Sequence, residues 1–283
     1  MFLTYINDMP DKLKCQARLF ADDCLLYTPV AKEEDMCNLQ DDLRLLEKWQ
    51  STWKMSFNPS KCTVLAVSKK KSPPLRDYIF CGQVLEKTTS HPYLGVQLDN
   101  KLTWREQVDK TANKAHKTLG FLRRNLWFCP RDVKVIAYKS LVRPVLEYAT
   151  CAWDPYKADQ IRTLEGVQRK AARFCCGDYS RESSVSGMLK DLQLDTLESR
   201  REKNRLAMMY KIQNNNVDIN KEEYINLIST RETRNNSGTR IEVPFARTDT
   251  YKNSFFPRTI RAWNDLNPDI KNKTSVESFR ATL

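Results

Sequence analysis

The first hydrophobic positions of the chain predict a β-hairpin. Two short apolar runs end at Phe20 and restart at Cys24, and a turn of Ala21, Asp22 and Asp23 separates them. Aspartate favours turns because its side chain can bond the backbone two residues further on. The spacing therefore predicts a hairpin whose tip carries two consecutive acidic residues.

A helix and several short strands are expected after the hairpin. Apolar residues at steps of three and four form one stripe over residues 32–53, which is typical of a helix with one face on a core. An Asn-Pro-Ser sequence at 58–60 ends this pattern, and the apolar run after it predicts a strand over residues 61–67. Shorter strand-like pieces are expected at residues 78–81, 83–85 and 93–98, with Gly82 and Gly95 at turns or bulges.

From Leu102 onward the hydrophobic spacing is helical. Thr103 and Glu106 have the spacing of a capping box, in which two side chains satisfy the first amides of a helix. Pro130 suits the first turn of another helix that runs to about residue 148. Pro144 is expected to kink or divide that helix.

Two further helices are expected before a polar C-terminal segment. Apolar spacing marks one over residues 161–174, and Asp195 with Glu198 is expected to cap the next. Residues after 214 are polar and loop-rich, and short ordered pieces are expected at 241–245 and 255–263. The fold class is therefore α+β, in three regions: residues 1–100 are mixed, 101–213 helical and 214–283 irregular.

Composition and length indicate a globular protein with a substantial core. The 283 residues are 41% hydrophobic and 29% charged, and no apolar run approaches the roughly 18 residues that span a membrane. The N-terminus lacks the basic flank and small-residue cleavage site of a signal peptide. We therefore expect an intracellular protein, in the nucleus or the cytoplasm, without a membrane partner. Nine scattered cysteines and two histidines favour reduced thiols over disulfides or a zinc site.

The positive charge is confined to the second part of the chain. Residues 1–100 carry 13 basic and 13 acidic side chains, whereas residues 101–283 carry 34 and 22, which accounts for the whole net charge of +12. A basic half beside a neutral half favours a polyanion as partner of the helical region. The alternative is that these lysines and arginines only solubilise the helices.

Asp22 and Asp23 are the first candidates for chemistry. Two unit charges about 4 Å apart repel by about 4 kcal/mol at an effective dielectric of about 20, so paired carboxylates favour a cation. Their oxygens are hard ligands that suit Mg²⁺ or Mn²⁺, and Mg²⁺ also takes phosphate oxygens of a substrate. The alternative for a bare Asp-Asp pair is an ordinary acidic turn.

Several segments accompany the Asp22-Asp23 pair along the chain. Phe20-Ala21-Asp22-Asp23 follows an apolar strand. The other segments are YINDMP at 5–10, MSFNPSKCTVL at 55–65, HPYLGVQLD at 91–99, LTWREQVDK at 102–110, LVRPVLEYATCAWDP at 141–155 and SFFPRTIRAWNDL at 254–266. In their order along the chain they resemble the palm and following region of reverse transcriptases, in the branch of non-LTR (LINE-type, jockey-like) retrotransposons, and Phe20-Ala21-Asp22-Asp23 is similar to the catalytic hairpin of that family. The resemblance implies the end of a palm, of antiparallel strands with a packed helix, followed by a helical thumb.

The resemblance also implies roles for individual residues. Asp22 would bind a catalytic Mg²⁺ or Mn²⁺ directly, and Asp23 would contribute to the same site less directly. Lys61 would lie near the triphosphate, where a cation stabilises the charge that develops on the leaving group. The primer-grip-like residues Tyr93, Leu94 and Gly95 would place the primer end. The implied partners are an RNA template, a DNA primer and deoxynucleoside triphosphates.

The basic helical region would then bind the phosphate backbone. Its cations are interleaved with apolar stripes, so that one helix face can pack while another meets nucleic acid. The candidates are Arg123, Arg124, Arg162, Arg169, Lys170, Arg173, Arg200, Arg201, Lys203 and Arg205. Trp127, Trp153 and Trp263 are expected to be core aromatic residues rather than base-stacking platforms.

Polymerases of the family need another aspartate from an earlier palm strand, together with finger residues that hold nucleotide and template. The given sequence starts inside the segment that precedes the hairpin, and Asp8 belongs to that segment. We therefore expect a C-terminal reverse transcriptase fragment with little or no polymerase activity alone, because a two-metal site would be incomplete. Two alternatives remain: a non-catalytic nucleic-acid-binding remnant that uses residues 101–211, and a decaying fragment that neither folds nor acts.

Overall fold

The computed structural model describes residues 2–71, 73–74, 76–229 and 239–283. Helices and short strands are both present, so the predicted α+β class is confirmed. The chain forms two compact units. Unit 1 comprises Met1–His91 with Asp99–Lys101, and unit 2 comprises Pro92–Leu98 with Leu102–Leu283.

The strands form small two-stranded sheets rather than one continuous sheet. Most pairs join neighbours in the chain: β1 with β2, β4 with β5, β7 with β8, and β9 with β10. The pair of β3 and β6 is parallel, which differs from the all-antiparallel arrangement expected for residues 1–100. The strands are β1 Gln16–Phe20, β2 Asp23–Tyr27, β3 Thr63–Leu65, β4 Ile79–Phe80, β5 Gln83–Val84, β6 Glu86–Thr88, β7 Ser90–Tyr93, β8 Val96–Asp99, β9 Leu227–Ser229 and β10 Thr239–Ile241.

Unit 1 is built around one long helix, α2, Glu33–Trp53, which follows the short helix α1, Phe2–Ile6. The expected helix over residues 32–53 is confirmed, and its stripe of Leu43 and Leu46 is buried. These leucines share a core with Tyr78 and Phe80. Leu19, Cys24 and Leu26 of the hairpin and Val64 of β3 pack against the same core. The hairpin therefore lies on α2 by its apolar face.

Polar side chains of α2 bind the surrounding backbone. The Gln40 amide donates to the carbonyl of Ile79 and accepts from its N–H, both at 2.8 Å. Asp42 is fully buried and accepts from the N–H groups of Lys14 at 3.0 Å and Cys15 at 2.7 Å. One helix thus holds β4 and the chain entering β1, and these bonds satisfy amides that burial would otherwise leave unpaired.

Replacing Asp42 by leucine is expected to destabilise unit 1 by about 3 kcal/mol, because two amides lose a charged acceptor. Asp42→Asn keeps one acceptor oxygen and should cost less. Hydrogen exchange of the β1 and β2 amides measures the effect. Asp41→Leu is the matched control, since the Asp41 carboxylate forms an exposed ion pair with Arg44 rather than binding buried amides. Equal protection in Asp42→Leu and Asp41→Leu would contradict this role.

Unit 2 is mainly helical. Its first core contains residues of α3, α6 and α7 and is closed by Tyr138, Trp153 and Leu197. The Tyr138 hydroxyl donates to Gln168 at 2.7 Å inside this core, and burial raises the pKa of that phenol. The helices are α3 Arg105–Asn125, α4 Arg131–Ala137, α5 Arg143–Glu147, α6 Ala158–Cys176, α7 Val185–Asp191, α8 Leu197–Gln213, α9 Asp249–Lys252, α10 Phe255–Asp265, α11 Pro268–Lys271 and α12 Val276–Thr282.

Three predicted helix boundaries need correction. The residue before α3 is Trp104, in a left-handed conformation, so the helix begins one residue later than a cap at Thr103 implies. The cap of α8 is Thr196, whose hydroxyl accepts from the Ser199 N–H at 3.1 Å, so the predicted Asp195 cap was wrong by one residue. Pro130 precedes α4 rather than lying in its first turn.

The interruption expected at Pro144 is present. A π-helical turn, Tyr138–Val142, separates α4 from α5 immediately before this proline. Proline removes one backbone donor and clashes with the preceding turn, and a wider turn relieves that clash. The same turn buries Tyr138 and Val142 in the core.

The C-terminal segment is more ordered than predicted. The residues that were predicted to be loop-rich include those of helices α9 to α12. Of these, α10 and α12 pack on α8. Their core contains Tyr210, Ile260, Trp263 and Phe279. The ordered piece expected at 255–263 is α10, whereas α9, α11 and α12 have only four to seven residues each and leave little periodicity to detect.

Candidate catalytic hairpin and basic surface

Asp22 and Asp23 lie at the tip of the β1–β2 hairpin. Phe20 pairs with Asp23, so Ala21 and Asp22 form a two-residue turn, and Ala21 has a positive φ of 51°. Both aspartates are exposed. Neither carboxylate accepts a hydrogen bond or an ion pair from the described residues. The predicted turn is confirmed, and it presents two unneutralised carboxylates side by side.

The hairpin is positioned by Asp42, which sequence reasoning missed. Its carboxylate binds the two amides that lead into β1, and the apolar face of the hairpin rests on α2. A buried aspartate on the apolar side of an amphipathic helix was the available signal, because such a side chain needs backbone donors. Asp42 therefore holds the chain entering the hairpin, remote from its tip.

Lys61 ends a single 3₁₀ turn, Pro59–Lys61, directly before β3. Its side chain is exposed and forms no ion pair among the described residues. The next residue, Cys62, packs on the same core as Cys24, which follows Asp23. Burial, with a smaller contribution from the neighbouring Cys62, raises the pKa of the Cys24 thiol to about 11. The Lys61 turn is therefore a neighbour of the second hairpin strand.

Tyr93, Leu94 and Gly95 form the tip of a second hairpin, between β7 and β8. Leu94 and Gly95 have positive φ angles of 45° and 79°, the arrangement of a tight turn that favours glycine. The Tyr148 hydroxyl donates to the Leu94 carbonyl at 2.9 Å. A Cβ on Gly95 would lie 3.3 Å from the Tyr148 ring. The strand-like piece expected over residues 93–98 is thus interrupted by a turn, at the glycine where a turn or bulge was expected.

Five predicted nucleic-acid-binding residues are exposed on α3 and α6, which run parallel and side by side. Arg105 pairs with Asp159 near their first turns, and Arg123 lies over the Tyr179 ring at their far ends. Halfway along, burial and then the charge of Lys170 lower the pKa of His116. The exposed cations are Arg123, Arg124, Arg162, Arg169 and Lys170.

The other predicted cations are engaged within unit 2. Arg201 and Arg205 are 1% and 5% exposed and pair with Asp154, so burial removes both from the predicted nucleic-acid surface. Burial lowers the pKa of each guanidinium to about 10. Arg200 forms a two-bond pair with Glu147. Lys203 pairs with Asp195 at 3.1 Å, and Arg173 donates to the Ser180 carbonyl at 2.6 Å.

An aromatic group lies at one end of the exposed basic residues. Trp127 stacks on Tyr179 with ring centroids 6.0 Å apart, and Arg123 covers the same tyrosine at 5.3 Å. Phe128 is 97% exposed. Trp153 and Trp263 are buried as predicted, but Trp127 is 48% exposed, so its assignment to the core was wrong. Aromatic faces beside arginine can stack nucleic-acid bases.

The candidate metal ligands are the two hairpin residues Asp22 and Asp23. The described ranges contain no group of three or more histidine, cysteine, aspartate or glutamate side chains that could hold a metal ion. Mg²⁺ keeps several waters and is often bound by one or two carboxylates plus substrate phosphates, which two exposed aspartates fit. A search of the described helices for a membrane-spanning segment finds none.

Comparison with known proteins finds a family similarity in the N-terminal region. Residues 1–98 match the family described as "Reverse transcriptase (RNA-dependent DNA polymerase)". This range contains both hairpins and Lys61. No solved structure matches the chain.

Three curated proteins are similar to the chain. The "Probable RNA-directed DNA polymerase from transposon BS" of Drosophila melanogaster is 27% identical over 67% of this chain and 21% of its own length. The "RNA-directed DNA polymerase from mobile element jockey" of Drosophila funebris is 26% identical over 54% of this chain and 17% of its own. Its Drosophila melanogaster counterpart is 24% identical over 67% and 22%. The chain thus spans about a fifth of these relatives, and the matches support a reverse transcriptase of the non-LTR retrotransposon type.

Proposed function

We propose that residues 1–98 form the catalytic end of the palm of a non-LTR retrotransposon reverse transcriptase, and that unit 2 contains its thumb. The observation that carries this proposal is the two-residue turn with exposed Asp22 and Asp23, inside the region that matches the family. The reaction is RNA-directed transfer of a deoxynucleotide to a primer 3′ end. Template, primer and deoxynucleoside triphosphates are the proposed partners, by resemblance to such enzymes.

In this proposal Asp22 and Asp23 hold a divalent cation, Mg²⁺ or Mn²⁺. Bound there, the ion would polarise phosphate oxygens and neutralise developing charge. Asp22 lies in the turn and Asp23 begins β2, so the packing of β1 and β2 on α2 fixes where both carboxylates stand. The rigid support matters because metal ligands act only when they are held in place.

Lys61 is proposed to bind the triphosphate. Its exposed ammonium has no acidic partner among the described side chains, and its turn neighbours β2. An unpaired cation on a turn that neighbours β2 would suit a phosphate that bridges a metal and a lysine. Tyr93, Leu94 and Gly95 are proposed to place the primer, with the glycine permitting close backbone approach.

The exposed cations of α3 and α6 are proposed to bind the template–primer duplex. Such contacts fix register on the duplex without reading sequence, so an A-form hybrid can be held by its shape and backbone. At one end of this surface, the charged Arg123 lies beside the aromatic rings of Trp127 and Tyr179. A non-catalytic nucleic-acid-binding protein would use the same residues, and activity distinguishes the two functions.

The family also implies a further aspartate from an earlier palm strand. We propose that the 283 residues alone do not extend a primer, and that extension requires the polypeptide bearing this aspartate and the fingers. The two-metal arrangement would be completed only then. Primer extension by the 283-residue chain that disappears in Asp22→Asn would contradict this part of the proposal.

Metal binding at the hairpin is testable on the chain as it stands. Mn²⁺ is expected to broaden the backbone NMR signals of residues 20–24 selectively, because both candidate ligands lie in that turn. Asp22→Asn should remove most of the broadening. Asp11→Asn is the matched control, because Asp11 is exposed and its carboxylate binds no other side chain in the described part of the chain. Broadening that persists in Asp22→Asn, or is spread evenly over exposed acids, would count against a metal site.

Nucleic-acid binding is expected to depend on the cations of α3 and α6. Replacing Arg124, Arg169 and Lys170 by glutamine should weaken binding of an RNA–DNA duplex and lower the slope of log affinity against log salt by up to about 0.9 per lost phosphate contact. Fluorescence anisotropy at several salt concentrations measures both effects.

The matched control makes the same charge change in unit 1. Lys12, Lys48 and Lys71 are exposed, and their replacement by glutamine should leave the salt slope nearly unchanged. Equal slopes in the two triple variants would show that net charge, rather than the α3–α6 surface, attracts the duplex.

A further inference from the structure

Three arginines converge on one aspartate inside unit 2. Asp154 Oδ2 accepts from Arg205 and lies 3.0 Å from Arg258 Nη1, while Oδ1 lies 3.7 Å from Arg201 Nε. Exposure of the four side chains is 9%, 6%, 20% and 1% for Asp154, Arg205, Arg258 and Arg201. We refer to these four residues as the Asp154 cluster.

The cluster carries two more positive charges than negative ones. Glu147, Glu165 and Glu198 attract Arg201 electrostatically, and Glu198 and Glu202 attract Arg258, but none of them hydrogen-bonds a cluster arginine. These glutamates offset part of the excess at Arg201 and Arg258. Among the described residues no glutamate acts in this way on Arg205, and because burying unbalanced charge is expensive, this side of the cluster can take a further anion.

One donor of the cluster lacks a partner altogether. Arg205 Nε is buried and meets no acceptor among the described residues, whereas Arg201 Nε and Arg258 Nη1 form ion pairs with Asp154 without a hydrogen bond of good geometry. Buried polar atoms are normally paired, so an orphan donor on a buried guanidinium is exceptional. Burial lowers the pKa of Arg201 and Arg205 to about 10, which leaves both groups charged at neutral pH.

A cavity of about 90 Å³ borders this cluster. Arg205 and Asp154 line one part of it, and Asn253, Ser254 and Phe255 line another. The volume is several times the roughly 10–15 Å³ that one water requires. A small tetrahedral anion therefore has room beside the buried guanidinium.

The first turn of α10 faces the same cavity with unpaired amides. The Ser254 hydroxyl donates to the Tyr251 carbonyl at 2.7 Å instead of capping the helix. The N–H groups of Phe255 and Phe256 have no acceptor among the described residues, and Pro257 has no N–H. Free amides at a helix N-terminus attract anions. The buried Arg205 and this helix end thus present donors to one space from two sides.

We propose that this cavity binds a single phosphate group between the Arg205 guanidinium and the N-terminus of α10. The site lies in unit 2, is separate from the hairpin, and does not depend on polymerase activity. A phosphate there would balance the excess charge of the Asp154 cluster and connect α8 with α10. Because α10 packs on α8 through Ile260 and Trp263, occupancy would stabilise this part of the fold.

Thermal unfolding of the full 283-residue chain tests the proposal with inorganic phosphate as the probe. Relative to chloride at equal ionic strength, about 10 mM phosphate is expected to raise the midpoint by about 3 °C. Arg205→Gln should abolish this rise. Lys190→Gln, an exposed cation on α7, should retain it. No rise in the unaltered chain, or an equal rise in Arg205→Gln, would overturn the proposal.

A second variant keeps the test decisive if Arg205→Gln does not fold, since Arg205 is buried. Ala152 is exposed and lines the cavity, so Ala152→Asp would place a carboxylate in the space proposed for the phosphate. The variant is expected to fold and to lose the response to phosphate. A full response in Ala152→Asp would locate the anion elsewhere and overturn the proposal.

A competition experiment with oligonucleotides distinguishes the possible sources of the phosphate group. A short oligonucleotide is compared with the same oligonucleotide bearing a 5′-phosphate, and each competes with inorganic phosphate for the stabilisation. Competition by both supports a backbone phosphodiester as ligand, and competition by the phosphorylated form alone supports a terminal or free phosphate. If inorganic phosphate stabilises and neither oligonucleotide competes, the site selects the free anion.

Discussion

Asparagine in place of Asp22 is expected to abolish primer extension in a protein that supplies the missing palm and fingers. Such a protein is obtained by fusing the preceding segment of the transposon BS relative to this chain. Altering groups that only orient metal ligands costs roughly 10–100-fold, so loss of a direct ligand should exceed that range. The readout is the initial rate of extension on an RNA template with a DNA primer and Mg²⁺.

The comparison of two aspartates makes this experiment specific. Asp23→Asn is expected to lower the rate less than Asp22→Asn, because Asp23 is assigned the less direct role. Asp11→Asn should leave the rate nearly unchanged, and binding of the template–primer should be similar in all three. A fused protein that extends equally well with Asp22→Asn would refute the assignment of the hairpin. Absence of extension in the unaltered fusion would argue against the catalytic function itself.

The hairpin could be predicted because its signals are local. Alternating apolar residues on both sides of Ala21-Asp22-Asp23 determine both strands and the turn, and no distant contact is required. The support of the hairpin could not be predicted in the same way. Asp42 lies 27 residues from Cys15, and only the packing of α2 on the hairpin brings them together. A sequence pattern shows that a side chain is acidic but not which amides it will bind.

The Leu94-Gly95 turn shows a similar limit. The residues of 93–98 are compatible with one strand, and Gly95 indicated only a turn or bulge. The structure resolves this with two positive φ angles and a hydrogen bond from Tyr148, 54 residues away. Long-range partners therefore determine where a short strand ends.

The arginines of α8 were predicted less well than those of α3 and α6. Arg200, Arg201, Lys203 and Arg205 occur close together in sequence, which is typical of a solvated basic face. Their helix is covered on several sides, so each cation points to a different environment. Only tertiary structure distinguishes a basic surface from a buried cluster, because the amino-acid types are the same.

The Asp154 cluster gives the largest expected effect on stability. Replacing Asp154 by alanine leaves three neighbouring guanidiniums without their shared carboxylate. Removing one partner of a buried ion pair costs about 3–5 kcal/mol, because the remaining charge stays uncompensated. Hydrogen exchange of the α8 amides measures the loss within unit 2. Asp195→Ala, which removes the exposed partner of Lys203, is the matched control and should cost at most about 1 kcal/mol.

The response to phosphate distinguishes the structural role of the Asp154 cluster from its proposed role in binding an anion. In Asp154→Ala the three arginines lose the carboxylate that they share, so a bound phosphate should restore more stability than it adds to the unaltered chain. The midpoint rise with phosphate is therefore expected to be larger in Asp154→Ala and absent in Asp154→Ala combined with Arg205→Gln. Similar stability of Asp154→Ala and Asp195→Ala would show that the cluster does not hold α8 in place. A large loss of stability in Asp154→Ala without any response to phosphate would support the structural role of Asp154 and reject the anion site. The three arginines would then not bind phosphate even without their shared carboxylate.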